Sequence, residues 1–249
     1  MNLRTASCVA AVAAITSVLQ VNANPGVLFN DATGDIDVGI ATGGGTLDLV
    51  SMEVSHTATD IQFTLTVNGN MGIVDWGKFM VGIANNKGNG TSSSDGWSRP
   101  ITMSANGGMT NWLGGWVDNG GGAENRSHEI FDRWGLTGAT YNGNFGTYYG
   151  LVSGDRIGDR SSITFGVSIA SIGMSIGDTF RFDAYSSGGS STDSAVDALA
   201  NPNVAITSWS QAYDSGTSTS FSYTLTAIPA PGAIALVGLA GLVARRRKA

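Results

Sequence analysis

Asp31, Asp35 and Asp37 fall within seven residues, with Gly34 placed among them where the chain can turn sharply. Calcium is a hard cation that takes about six to eight oxygens, from carboxylates and turn carbonyls, and an acidic glycine-containing loop offers both. The spacing is not that of an EF-hand. The alternative is that these are turn-forming aspartates that cap backbone N–H groups. A second acidic pair, Asp155 and Asp159, encloses Arg156 with Arg160 next to it, so simple ion pairing competes there with cation binding.

Aromatic residues are the next candidates. Trp112 and Trp116 are four apart in Asn111-Trp112-Leu113-Gly114-Gly115-Trp116, so on a strand both face one side. Trp97 and Trp134 complete the set of glycan-stacking candidates, because a flat exposed indole matches the apolar CH face of a sugar ring. Trp76, Tyr148 and Tyr149 are further possibilities. The competing fate is burial in a core, which is commoner for Trp.

Catalytic chemistry finds little support. His56 and His128 are far apart and are expected at the surface, and two separated histidines do not make a zinc site. Glu124, Glu129 and Asp132 near Trp134 could pair as acid and base, but no nucleophile elbow accompanies the many serines. The glycine runs lack the Lys-Ser/Thr of a phosphate loop. No enzyme activity is expected.

The elements that must position these residues read as β. Ile61, Phe63, Leu65 and Val67 alternate with polar residues, as do Phe79, Val81 and Ile83, then Ile163 to Ile169, Phe180 to Ala184, and Phe221 to Leu225. Period-two alternation marks half-buried antiparallel strands. Thr46–Val54 is also strand-like, and its apolar phase shifts between Leu49 and Val50, which predicts a bulge. Asn-Gly and Gly-Gly pairs at 68–69, 106–107, 119–122, 142–143 and 187–189 supply the turns. A short helix is possible at Thr192–Leu199. Asn85–Asn111 and Val117–Asn144 read as long loops and are expected to carry any binding surface. The fold class is therefore all-β, an antiparallel β-sandwich of the jelly-roll or immunoglobulin-like two-sheet kind.

The two ends have a different character. Arg4, the mostly apolar stretch Cys8–Leu19 and the small-x-small Val21-Asn22-Ala23 fit a signal peptide over 1–23, cut between Ala23 and Asn24. Cys8 is the only cysteine and lies in that leader, so the mature body has no disulfide framework and no thiolate metal site. Residues 24–226 form the expected single domain. Of 13 basic residues, five (Arg4, Arg245, Arg246, Arg247 and Lys248) lie in the terminal segments, leaving 8 against 19 acidic ones, a body charge of 8 − 19 = −11. A nucleic-acid partner is disfavoured by that charge.

Residues 227–249 combine Pro229-Ala230-Pro231, an uncharged run from Gly232 to Ala244, and Arg245-Arg246-Arg247-Lys248. As a helix the run rises roughly 20 Å, short of a ~30 Å hydrocarbon core, and the basic cluster reads as a cytoplasmic stop. This layout resembles the PEP-CTERM sorting signal, with Pro-Ala-Pro in place of Pro-Glu-Pro. The resemblance implies an exosortase and the secretion machinery as partners, transient anchoring by a single transmembrane sorting helix, and a destination at the cell surface or outside. The body is similar in its order of pieces, from Asp31–Asp37 through "DIQFTLTV" to Gly177–Phe182, to DOMON-like and family 9 carbohydrate-binding-module sandwiches. That likeness implies sugar or haem binding, and no haem-ligating Met/His arrangement maps onto the chain. The function expected is a structural or adhesive role within or beside extracellular polysaccharide, with a carbohydrate-binding module acting through Trp-bearing loops as the alternative, and calcium as the one cofactor in view.

Overall fold

A computed structural model describes residues 23–69, 76–87, 90, 95–117, 126–132, 140–141, 148–151 and 162–228, and for 116–117 and the strands between 126 and 151 it describes backbone only. The terminal segments at 1–22 and 229–249, the acidic pair Asp155/Asp159 and Trp134 lie outside the described residues, as do the side chains of Trp116, His128, Glu129 and Asp132. Among the described residues the regular structure is β apart from two 3-10 turns. The strands are β1 Val27–Asn30, β2 Leu49–His56, β3 Asp60–Val67, β4 Lys78–Ala84, β5 Ile101–Met103, β6 Asn111–Val117, β7 Arg126–Asp132, β8 Thr140–Tyr141, β9 Tyr148–Leu151, β10 Ser162–Ser168, β11 Thr179–Ser187, β12 Asp197–Ala198, β13 Tyr213–Ser215 and β14 Phe221–Thr224. The described helices are two single 3-10 turns, so none is long and apolar enough to cross a membrane.

Two antiparallel sheets form the frame. One runs β1-β2-β3-β10-β9, and the other β12-β11-β4-β6-β7-β8 with β14 also on β11. Alternation produces this directly. In β3 every second residue, Ile61, Phe63, Leu65 and Val67, is buried, and the residues between them are half-buried. These side chains meet Phe79, Val81, Ile83, Phe180 and Phe182 of the other sheet in one apolar core, the sandwich-like arrangement expected from the pattern. The predicted bulge is present: the β2–β3 register shifts between Leu49 and Ser51.

The second sheet is covered on its other face too. All seven residues of β4 are buried. Met80 and Ala84 on that outer face join Trp112, Tyr185, Ile101, Met103 and Val196 in a second core. The cover comes from segments flanking β5 and β13, which pair in parallel. Much of the 85–111 stretch, expected as an open loop, is therefore packed layer. Residues 192–199 do not form a helix. Val196 donates to the Ser186 carbonyl and Leu199 to the Ala184 carbonyl (both 2.9 Å), which holds the segment extended along β11. His56, expected at the surface, is 1 % exposed, with its ring nitrogens 2.7 Å from the Tyr223 hydroxyl and 2.9 Å from the Thr226 carbonyl. It joins the end of β2 to the segment after β14.

Candidate metal centre

The site starts where β1 ends. Asp31 donates its backbone N–H to the Val50 carbonyl, which pins it beside the bulge of β2. The chain then turns at Gly34, whose φ of 78° is left-handed and favours glycine. Gly34 N–H donates to both carboxylate oxygens of Asp48, at 3.0 and 3.1 Å, and the Asn68 amide donates to the same group at 2.9 Å. Asp48 thus acts as the clamp that shapes the turn. The turn returns Asp35 toward the sheet, anchored by the buried Ile36 and Ile40 that follow.

The third carboxylate arrives from far along the chain. Asp197 lies on β12, whose Cα register against β11 is Ser186↔Asp197. Its Oδ2 accepts from Leu49 N–H at 2.7 Å and its Oδ1 from Ala198 N–H at 2.8 Å. One carboxylate oxygen from each of Asp31, Asp35 and Asp197 then lies within 4.8 Å of the others. Oxygens on opposite sides of one calcium ion, at about 2.4 Å each, are about 4.8 Å apart, so a single ion spans this spacing.

The electrostatics of the site are those of an uncompensated anion cluster. Asp31 Oδ2 and both oxygens of Asp35 are buried and meet no donor among the described residues. Burial pushes Asp31 up to about 9, with the charges of Asp197 and Asp35 adding to it. Burial also raises Asp197 to about 8, reinforced by Asp35 and Asp48, and it raises Asp35, with Asp48 contributing. Among the described residues, every charged group acting on the three is another carboxylate. Such a cluster either holds protons or holds a cation. Hard oxygen donors without thiolate or imidazole suit calcium or magnesium, whose remaining ligands would be backbone carbonyls or water.

Of the three aspartates singled out in the sequence, the structure brings two together. Asp37 stays apart, because its Oδ1 accepts from Gly39 N–H at 2.8 Å and its carbonyl from Ile40 N–H at 2.9 Å. At that position the turn-capping alternative holds. Asp197 takes its place in the cluster. The signal for it was present: an aspartate inside Ala195-Val196-Asp197-Ala198-Leu199 is a polar residue in an otherwise fully buried apolar run. A charge so placed needs a partner.

The tryptophans divide differently from expectation. Trp112 is fully buried, so its indole presents no face to a sugar. It packs edge-on to Trp97, centroids 4.4 Å apart, and over Gly114, where a Cβ would lie 2.2 Å from the Trp112 ring. Trp97 is half-buried, and the Arg99 guanidinium lies 5.7 Å from its centroid. Trp76 and Trp209 are also half-buried and meet each other edge to face at 6.3 Å. Compared with protein-family models, with curated proteins and with solved structures, the chain matches none.

Proposed function

We propose that this is an exported cell-surface or extracellular-matrix protein with a structural or adhesive role, its all-β body braced by calcium. The observation that carries the reading is the convergence of Asp31, Asp35 and Asp197, in which Asp31 Oδ2 and both oxygens of Asp35 meet no donor among the described residues. Calcium sites in extracellular modules are weak, with dissociation constants of about 10⁻⁴–10⁻³ M, a range that a site with three carboxylates can meet. The address is carried by the terminal segments: a leader over 1–23 and a PEP-CTERM-like tail over 227–249 handled by an exosortase. The jelly-roll or immunoglobulin-like connection of the sheets belongs to the same proposal.

Calorimetric titration of the full chain with calcium tests the metal centre. One ion per chain is expected, and none in Asp35→Asn. A flat titration together with a melting temperature that ignores 10 mM calcium, about 10 to 100 times the dissociation constants of extracellular modules, would sink it. Cell fractionation with and without residues 227–249 tests the address, and an identical distribution would remove the sorting role.

A carbohydrate-binding module is the second reading. Trp97, Trp76 and Trp209 favour it, because they keep part of their indoles exposed at the rim of the second core. Glycan-array binding lost in Trp97→Ala would support it. Trp112→Ala is uninformative there, since that indole is core.

A further inference from the structure

The described part of this acidic body places its reachable positive charge in one location. Of the four Lys and Arg whose side chains are described, Lys78 and Arg99 are buried. The other two, Lys87 and Arg181, line a single cleft of about 430 Å³ where β4, β11 and β14 lie side by side. That volume falls within the ~300–1,000 Å³ of small-ligand sites.

The cleft has donors held in place and not used up. Arg181 is fixed by Nε to Ser220 Oγ at 2.8 Å and by Nη2 to the carbonyls of Thr217 and Ser220, while Nη1 makes no hydrogen bond among the described residues. Lys87 Nζ gives one of its three protons to Asp178 at 2.8 Å. Asn106 and Asn86 both adopt left-handed backbone, at φ 52° and 57°. Asn106 donates Nδ2 to the Ala84 carbonyl at 2.9 Å, which leaves its Oδ1 to accept from a ligand. The Ser222 hydroxyl completes the lining. Two cations against Asp178 leave one net positive charge, which suits a singly charged carboxylate. The amides and the hydroxyl suit neighbouring sugar hydroxyls, and the volume exceeds what a bare oxyanion fills.

We propose that this cleft binds a uronic-acid unit of an acidic polysaccharide, with Arg181 and Lys87 on its carboxylate and the asparagine amides on its ring hydroxyls. It rests on the adhesive reading above and supplies its ligand class. The site lies apart from the three-aspartate cluster and needs no calcium.

The test is calorimetric titration of the full chain with tetragalacturonate at low salt in the presence of chelator, against the carboxyl-reduced neutral tetrasaccharide and against inorganic sulfate. The acidic sugar is expected to bind about tenfold more tightly than the neutral one, the usual scale of a charge-assisted contact. Lys87→Gln, an exposed position, is expected to weaken binding about fivefold, and Asp178→Asn to tighten it about threefold by removing the competing carboxylate. A gain of affinity cannot come from misfolding. Equal binding of the neutral sugar, unchanged affinity in Lys87→Gln, weaker binding in Asp178→Asn, or sulfate binding as well as the uronate would each overturn the assignment. Failure here leaves the calcium centre standing, because every titration is run without calcium.

Discussion

Asp35→Asn should change the stability of this protein in opposite directions with and without calcium. In chelator, Asp35 is a half-buried residue whose two carboxylate oxygens are shielded and meet no donor among the described residues, and whose neighbours are carboxylates. Two unit charges 4.8 Å apart repel by roughly 3.5 kcal/mol at an effective dielectric of about 20. Protonation of Asp31, raised to about 9, and of Asp197, raised to about 8, already relieves much of that near neutral pH. The neutral amide should therefore stabilise the calcium-free protein by about 1 kcal/mol, or about 2–4 °C in a domain of this size. With calcium at about 100 times its dissociation constant the wild type gains about 2.7 kcal/mol, and the variant, missing a ligand, gains little. The order of the two melting temperatures should therefore cross. Differential scanning calorimetry at pH 7.5 in chelator, in calcium and in magnesium reads it directly. The same order of melting temperatures in chelator and in calcium would refute the reasoning, whichever protein melts higher.

Other expectations are more local. In chelator, the melting temperature should fall as pH rises from about 4 to about 8, because Asp183, Asp31 and Asp197 hold protons in the folded state up to about 7, about 9 and about 8 and release them near 3.8 when unfolded. Their contribution is complete below the unfolded value and is lost as pH climbs through the folded ones; saturating calcium should flatten the slope, and a flat profile in chelator would contradict it. Trp112→Ala should cost about 3–5 kcal/mol in denaturant unfolding, as a fully buried large side chain does, and a loss under 1 kcal/mol would contradict its place in the core. Tyr223→Phe should cost about 1 kcal/mol by stranding a His56 ring nitrogen, and pairing it with His56→Phe should show coupling in a double-mutant cycle.

Much of the first sheet was legible in single residues. Alternation in Ile61–Val67 and Ile163–Val167 names the core-facing side chains, and the phase slip at Leu49–Val50 names the bulge. Period-two patterning reports one buried face, and so it failed on β4. There Phe79, Val81 and Ile83 face one core while Met80 and Ala84 face another, built from residues 95–111 and 195–213 that carry no strand-like alternation. The candidate site was half legible for a similar reason. Asp31 and Asp35 are near neighbours in the chain, but Asp197 joins them only through the pairing of β12 with β11. Local spacing instead favoured Asp37, whose turn satisfies it locally.

The distance along the chain between Asp35 and Asp197, 197 − 35 = 162 residues, gives the cluster a role in the polymer physics of the chain. An ion held by both closes a loop that an unfolded chain almost never closes by itself. A covalent cross-link over such a span restricts the unfolded ensemble by about 5 kcal/mol. A metal clip works on the same ensemble in the other direction, by being absent from it: the ligands are scattered when the chain is open, so nearly all of the ion's affinity favours the closed fold. In a body whose sequence between the terminal segments contains no cysteine, the aspartates offer a staple that needs no oxidant to form and that a chelator can undo.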